Sequence, residues 1–130
     1  MKHENQQLRR DPMDMILSEL DRWGCDVTGA MNRCFGDTDF YLQWVKEFAV
    51  DPGFERLDRE LELKKYKDAF RTAHGLKGDA GMLGLTPLLL AICEIVEDLR
   101  HEPSPRLGKD YEAVKKEYET FVNILRNNRE

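Results

Sequence analysis

Apolar side chains recur every three or four residues along most of the chain, which is the period of an α-helix that buries one face. No stretch alternates apolar and polar residues as a half-buried strand would. The pattern therefore predicts an all-α chain. Its predicted helices cover approximately 13–23, 26–36, 37–50, 54–63, 65–83, 86–100 and 108–127.

Residues that cap helices stand at several of these boundaries. Asp26 and Thr28 are alternative N-caps for the second helix, and Asp37 is an N-cap for the third. Thr86 is predicted as the N-cap of the sixth helix and Pro87 as its first residue. Proline is tolerated at this position because the first backbone N–H groups of a helix have no partner within it. Glycine ends helices readily, and the glycines expected to do so are Gly24 and Gly36.

The apolar faces fit a helical bundle. The helix over 86–100 has a face wide enough to contact two neighbours, and the third helix carries a broad aromatic stripe that is expected to be core. The stripe consists of Phe40, Tyr41, Trp44, Val45 and Phe48. We predict an antiparallel up-and-down four-helix bundle with short additional N-terminal helices over residues 13–128, after a polar tail over residues 1–12.

Length and charge narrow the class of protein. A chain of 130 residues suffices for one hydrophobic core and is short for two domains. Its net charge of −5 disfavours nucleic-acid binding, which needs a concentrated basic face. No apolar run reaches the roughly 18 residues of a transmembrane helix, and no secretion signal is recognisable. We expect a monomeric cytoplasmic protein that binds neither nucleic acid nor membrane.

Metal and nucleotide chemistry are both disfavoured. Cys25, Cys34 and Cys93 contain no C-x-x-C pair and are odd in number, so they are expected to be small core residues rather than disulfide or zinc ligands. The carboxylates and histidines form no E-x-x-H or H-E-x-x-H pattern, so no metal site is expected. Because no Walker phosphate-binding pattern is present either, the chain should have no kinase or ATPase activity of its own.

One segment, AHGLKGDAGMLG over residues 73–84, places a histidine among small residues in a predicted helix. At about 100° per residue the imidazole falls opposite the apolar side and should face solvent. The apolar side comprises Ala69, Leu76, Ala80 and Leu83, and the other side comprises His74, Lys77, Gly78 and Gly81. Each glycine costs about 1 kcal/mol relative to alanine within a helix, so this cluster indicates that a partner needs close access.

An exposed imidazole in this setting suits nucleophilic chemistry. An ordinary imidazole has a pKa of about 6.5 and is mostly neutral near pH 7, so one ring nitrogen keeps a free lone pair. Lys77 lies one turn after His74, where its ammonium is placed to balance the charge of a phosphoryl group. His3, in the polar tail, and His101, in a proline-bounded loop, have no comparable neighbours and are interpreted as incidental.

This segment resembles the signature of histidine-containing phosphotransfer (HPt) domains, which reads approximately Ala-His-x-Leu-Lys-Gly-x-x-x-x-x-Gly. The matching residues are Ala73, His74, Leu76, Lys77, Gly78 and Gly84. The likeness extends to Phe70 and to the following helix, with Cys93, Glu94 and Leu99. Two positions depart from the pattern: Asp79 replaces a small residue, and Met82 stands where asparagine is frequent.

The resemblance implies a bundle that serves as a phosphorelay carrier in two-component signal transduction. His74 would accept a phosphoryl group from the aspartyl phosphate of a response-regulator receiver domain and pass it to another receiver aspartate, with Lys77 stabilising the charge. The residues expected to dock the partner are Phe70, Arg71, Gly78 and Gly81. The chain would act stoichiometrically and bind no cofactor, because Mg²⁺ would belong to the receiver domain, and its partners would include a hybrid sensor histidine kinase.

Alternatives remain at this point. The chain could be a non-catalytic helical adaptor for signalling partners, or a fragment of a larger sensor kinase, although the start methionine and the lack of a linker disfavour the fragment. Phe70 is expected either to dock a partner or to be buried. Asp79 is interpreted as a partly buried acceptor that holds a neighbouring helix, or else as an exposed modulator of charge. A basic run is either a solvated face or a surface that attracts an acidic partner: Lys64, Lys65, Lys67, Arg71 and Lys77.

Overall fold

The computed structural model describes residues 12–128, which form seven α-helices and, within that range, no strand. The all-α prediction is thus confirmed for this part of the chain. The predicted tail over 1–12, apart from Pro12, and His3 lie outside the described residues. In chain order the helices are α1 (Pro12–Trp23), α2 (Val27–Arg33), α3 (Thr38–Ala49), α4 (Gly53–Glu62), α5 (Tyr66–Met82), α6 (Thr86–Arg100) and α7 (Leu107–Asn127).

Helices α4 to α7 pack around a common core. α5 lies between α4 and α6, and α6 contacts both α5 and α7, as its wide apolar face predicted. α7 reaches back to α4, where the rings of Tyr118 and Phe54 stack with centroids 4.1 Å apart. The hydroxyl of Tyr111 also donates a hydrogen bond to Asp58 at 2.7 Å. None of the helices in residues 12–128 is long and apolar enough to cross a bilayer.

The three N-terminal helices cover one end and one side of this core. α1 packs on α7, where the Trp23 ring stacks on Phe121 and its indole N–H donates to Glu117 at 3.0 Å. α3 also packs on α7, because the ring of Phe48 lies 6.1 Å from that of Phe121. Phe121 is fully buried between the two helices and joins the N-terminal segment to the core.

The predicted caps are right for two helices and wrong for α6. Asp26 and Asp37 each accept a hydrogen bond at 3.0 Å from the backbone N–H three residues later. Thr86 is the first residue of α6 rather than its N-cap, which is the buried Leu85, and Pro87 is therefore second. The shift arises because α5 ends immediately before, and the Thr86 hydroxyl turns back toward the carbonyl oxygen of Gly84 at 3.4 Å.

The aromatic stripe of α3 is core only in part. Tyr41, Val45 and Phe48 are buried, whereas Phe40 is 50% exposed and Trp44 is half-buried. The stripe spans more of the helix circumference than the neighbouring helices cover, so its outer edge stays in solvent. There the rings of Phe40 and Trp44 pack on each other at 5.9 Å.

The cysteines follow the prediction in part. Cys25 and Cys34 are buried and Cys93 is half-buried, and all three are free thiols. Burial raises the pKa of the Cys25 thiol to about 12, so this cysteine is unreactive at neutral pH.

Candidate functional site

His74 lies on the exposed side of α5, as the helical pattern predicted. The exposed residues along this side are Lys67, Arg71, His74, Gly78 and Met82, which we call the α5 ridge. The opposite side is in the core, where Ala69, Leu76 and Ala80 are buried. The imidazole is therefore presented outward from a helix whose back is fixed by packing.

Two side chains lie beside the ridge toward α6. The ring of Phe70 is 5.8 Å from that of His74, and the guanidinium of Arg100 lies 5.3 Å above the Phe70 ring. Phe70 is half-buried, so it packs on the core and still shows an edge to solvent. Arg100 also pairs with Glu97 at 3.3 Å. Arg100 therefore contacts the ring that neighbours the histidine, a contact that the sequence pattern does not predict.

Lys77 is half-buried and lies one turn after the histidine. Among residues 12–128 no ion pair or hydrogen bond is made by the side chain of either His74 or Lys77. The ammonium is thus available to a group attached to the ring. We retain its stabilising role as a prediction.

The side of α5 toward α4 is polar. Thr72 is buried and donates to Glu60 at 2.7 Å, while the Nε of Arg56 donates to the Thr72 hydroxyl at 3.3 Å. These bonds tie α4 to α5 on the other side of the ridge from Phe70. Neither Thr72 nor its partners was singled out from the sequence, because a threonine in a helix and charges on a neighbour give no distinct pattern.

Asp79 is half-buried, as predicted, but the predicted acceptor role is wrong. No donor reaches its carboxylate within the described part of the chain. Burial raises the pKa of Asp79, and the nearby negative charge of Asp51 raises it further. The carboxylate is repelled by its neighbour instead of holding it.

The surface around the imidazole is open. A Cβ atom added at Gly75 or Gly78 would meet nothing within 4 Å, and one added at Gly81 would come only to 3.9 Å from Leu89. A cleft of about 490 Å³ lies elsewhere, between α4 and α7, and no α5 residue lines it. The geometry around His74 thus suits the flat surface of a large partner rather than an enclosed small molecule.

The end of α5 is fixed by a glycine that the signature contains. Gly84 has a φ of +68°, and the backbone N–H of Leu85 bonds back to the carbonyl oxygen of Ala80 at 3.0 Å, which is a common way for a helix to end. A Cβ on Gly84 would overlap the backbone carbonyl oxygen of Asp26. Glycine is needed here both for the backbone conformation and for the close approach of the N-terminal segment.

The N-terminal segment satisfies carbonyl groups at the end of α5 and in the turn that follows it. Arg33 donates to the carbonyl oxygens of Gly81 and Met82 at 3.1 and 3.0 Å. The Tyr41 hydroxyl donates to the carbonyl oxygen of Leu83 at 2.8 Å. The backbone N–H of Asp26 donates to the carbonyl oxygen of Gly84, also at 2.8 Å. No sequence pattern indicates this role of Arg33, since its target lies almost 50 residues away.

No group of three or more histidine, cysteine or acidic residues within 12–128 is arranged to hold a metal ion. The basic run is solvent-exposed at Lys64, Lys65 and Lys67, and Arg71 pairs with Asp68 at 3.6 Å. Of the predicted docking residues, the structure exposes Arg71 and Gly78 and leaves Phe70 and Gly81 half-exposed on the α6 side.

Comparison with protein families identifies the domain. The family model for the Hpt domain matches residues 42–124, more than half of the chain. The chain belongs to the Hpt domain family. Hpt domains carry phosphoryl groups in the phosphorelays of two-component signalling and interact with receiver domains. Neither curated proteins nor solved structures gave a match.

The Hpt match covers the helix that bears His74 and both of its neighbours. It begins within α3 and ends within α7, so α1 and α2 precede it. The contacts that Arg33 and Asp26 make with the end of α5 therefore come from outside the matched residues. This Hpt domain combines the family core with N-terminal helices that are anchored to its site.

Proposed function

We propose that this Hpt domain is a phosphorelay carrier that accepts a phosphoryl group on His74 from a receiver-domain aspartyl phosphate and passes it to another receiver aspartate. The observation that carries the proposal is the placement of His74: an exposed imidazole on the α5 ridge that makes no hydrogen bond or ion pair among residues 12–128, beside glycines that leave the space above the helix open. His101, the other described histidine, lies in the loop after α6.

In this transfer the chain would supply the nucleophile, and the receiver would supply the phosphoryl group. In the neutral imidazole one ring nitrogen has a lone pair and the other keeps its proton. The lone pair attacks phosphorus in line, the P–N bond forms, and the P–O bond to the aspartate breaks with its electron pair leaving on the carboxylate oxygen. The phosphorylated ring then sheds its extra proton to water. The return step, to a second receiver, is the same reaction in reverse.

The neighbours of His74 have distinct roles in this proposal. The Lys77 ammonium would offset the charge of the attached phosphoryl group. Gly78 and Gly81 would let the receiver approach, while Phe70 and Arg71 would contact it. Mg²⁺ would be held by the receiver, so this chain would bind no cofactor.

The fold supports this role. Short connections join α4, α5, α6 and α7 in series, which favours an antiparallel up-and-down bundle. In that arrangement α5 is packed on its core side by two neighbours and keeps its ridge free for a partner. We propose a monomer, because a second copy on the ridge would block the histidine.

The test is phosphoryl transfer from a panel of purified, Asp-phosphorylated receiver domains. We expect acid-labile, alkali-stable label on the wild type, mapped to His74 by mass spectrometry. His74→Gln should keep the helical fold and receiver binding but accept no label, whereas the control His101→Gln should be labelled normally. Label that persists in His74→Gln would overturn the proposal. Receiver binding without any label on the wild type would instead indicate a non-catalytic adaptor.

A further inference from the structure

Phe35 has an unusual backbone conformation and almost complete exposure. Its φ is +56°, and its side chain is 96% exposed. It occupies the turn after α2 in which the N–H of Phe35 bonds to Asn32 and that of Gly36 bonds to Met31, at 3.1 and 2.8 Å. Glycine is the usual residue at this position of such a turn, because it has no side chain to strain. A large aromatic side chain here serves neither the turn nor the core.

The turn that carries Phe35 is held beside the end of α5. Arg33, two residues earlier, donates to the carbonyl oxygens of Gly81 and Met82. Met82 is itself 42% exposed and is the last member of the α5 ridge. Arg33 therefore ties the turn that carries Phe35 to the C-terminal end of the helix that presents His74, where Met82 is a second exposed apolar side chain.

The opposite end of the ridge is basic. Arg71 and Lys67 are exposed on α5 one and two turns before His74, toward the N-terminus of the helix. Along the ridge the order is therefore two cations, the imidazole, an open glycine and an apolar side chain. A partner that docks over the imidazole meets positive charge on one side and apolar surface on the other.

The size of a protein partner makes both ends relevant. His74 and Met82 are eight residues apart, which is about 12 Å along a helix at about 1.5 Å per residue. A standard protein interface buries about 800 Å² on each partner, so a patch centred on His74 extends about 16 Å in each direction. A receiver centred over the histidine therefore extends past Met82, toward the turn that Arg33 ties to the end of α5.

We propose that Phe35, with Met82, is the apolar anchor that orients the phosphoryl-donating receiver on this domain. The anionic surface around the receiver's aspartyl phosphate would lie toward Lys67 and Arg71, and an apolar surface of the receiver would cover Phe35. This inference rests on the proposed function of His74. Phe35 lies in the turn after α2 and precedes the residues matched by the family.

The decisive variant is Phe35→Gly, because it removes the ring and gives the turn its preferred residue. Transfer is measured over a series of receiver concentrations, with a receiver that labels the wild type. We expect the half-saturating receiver concentration to rise at least 5-fold while the rate at saturation stays within 2-fold. The matched control is Val50→Ser, which alters an apolar side chain that is 79% exposed at the end of α3, and it should change neither quantity by more than 2-fold.

Salt dependence separates the two ends of the ridge. Arg71→Gln should also raise the half-saturating concentration and should weaken its dependence on ionic strength, because exposed charges are screened by salt. Phe35→Gly should leave the salt dependence unchanged, since the anchor is apolar. An equal loss of salt dependence in both variants would contradict the assigned orientation.

The possible failures are distinct. If the wild type accepts no label from any receiver, the proposed function of His74 fails. If the wild type is labelled and Phe35→Gly has the same half-saturating concentration, the anchor is overturned while the function of His74 stands. If Phe35→Gly lowers the transfer rate at saturating receiver but leaves the half-saturating concentration unchanged, the anchor is also overturned. The effect would then lie on the chemical step and not on receiver binding.

Discussion

The side chain of Arg33 donates through Nε to the backbone carbonyl oxygen of Met82 at 3.0 Å, joining α2 to the last turn of α5. The carbonyl groups at the end of a helix have no partner within the helix and carry partial negative charge. A guanidinium is therefore well suited to this end. Through this contact an N-terminal helix outside the Hpt match supports the helix that presents His74.

Replacing Arg33 should destabilise the fold moderately. Arg33→Leu removes two hydrogen bonds from a charged donor to the end of α5, so we expect a loss of about 1–2 kcal/mol in the free energy of unfolding. Urea denaturation followed by circular dichroism measures it. The control Arg22→Leu removes only an exposed pair with Glu19 and should cost less than about 0.5 kcal/mol. Equal losses would show that Arg33 does not hold α5.

Two glycines with similar backbone angles should respond very differently to alanine. Gly36 has a φ of +73° and open space around it, so Gly36→Ala should cost only the left-handed conformation, about 1–2 kcal/mol. Gly84 has a φ of +68°, and its added Cβ would also overlap the Asp26 carbonyl oxygen, so Gly84→Ala should cost about 1–3 kcal/mol more. Thermal denaturation of the two variants measures the difference. Similar melting temperatures for Gly36→Ala and Gly84→Ala would contradict the close approach of Gly84 to the Asp26 carbonyl oxygen.

Substitution of Gly78 by alanine should change stability and the rate of phosphoryl transfer in opposite directions. Because a Cβ meets nothing there, Gly78→Ala should raise the free energy of unfolding by about 0.5–1 kcal/mol through helix propensity. The same methyl group should slow phosphoryl transfer from a receiver several-fold, since it stands where the partner approaches. Gly108→Ala, at an equally open glycine of α7, is the control and should leave transfer unchanged. Unaltered transfer in Gly78→Ala would remove Gly78 from the docking surface.

The protein should lose stability in alkali, partly through Tyr41. Burial raises the pKa of the Tyr41 hydroxyl, which donates to Leu83 at 2.8 Å. Stability from such a group is complete below the unfolded-state pKa of about 10 and falls by about 1.4 kcal/mol per pH unit above it, because only the unfolded chain ionises. Tyr41→Phe should be less stable than wild type by about 1–2 kcal/mol at pH 7. By pH 11 that deficit should shrink by about 1.4 kcal/mol.

Denaturant midpoints of wild type and Tyr41→Phe at the two pH values test this prediction. A constant deficit from pH 7 to 11 would show that Tyr41 ionises as readily in the folded protein as in the unfolded chain. The pKa of Tyr111 is also raised, by burial first and by its bond to Asp58. Tyr111→Phe should therefore also flatten the alkaline decline.

Asp79 should destabilise the protein at neutral pH. Burial and the charge of Asp51 raise the pKa of Asp79 in the folded state above its ordinary value of 3.8. The free energy of unfolding therefore falls as pH rises from that value through the folded-state pKa, and it stays lower at higher pH. Asp79→Asn should be more stable than wild type at pH 7, by less than about 1 kcal/mol because the group is partly solvated. The difference should vanish at pH 3.

A double-mutant cycle identifies the cause. The gain from Asp79→Asn should be smaller in an Asp51→Asn background, because the repelling charge is already gone. A loss of stability in Asp79→Asn at pH 7 would show that the carboxylate accepts a stabilising hydrogen bond after all.

The helices and the direction of His74 could be predicted from the sequence because both depend on local geometry. An apolar residue every three or four positions specifies which side of a helix is buried, and this was sufficient to place His74, Lys77 and Gly78 outward. Asp26 and Asp37 were recognisable as caps for the same reason, since each bonds to a backbone group three residues away.

The limits of the sequence pattern lie where a neighbour decides the outcome. Phe40 has the spacing of a core residue, yet it is 50% exposed because no helix within residues 12–128 covers that edge of α3. Asp79 has the angular position of an interhelical acceptor, yet the neighbouring charge that raises its pKa, after burial, is that of another carboxylate, Asp51. Neither the coverage of a face nor the identity of the residue opposite is contained in a helical period.

By itself, then, the sequence determined the helices, the outward histidine and the family signature around it, because each rests on contacts within a few residues. Only the tertiary structure decided that Arg33, Tyr41 and Asp26 hold the end of α5 and that Arg33 ties the turn bearing Phe35 to it. These contacts join residues more than 40 positions apart, and their partners are mostly backbone carbonyl groups. Since every residue has such a carbonyl, the letters of the sequence do not mark which one will be bound.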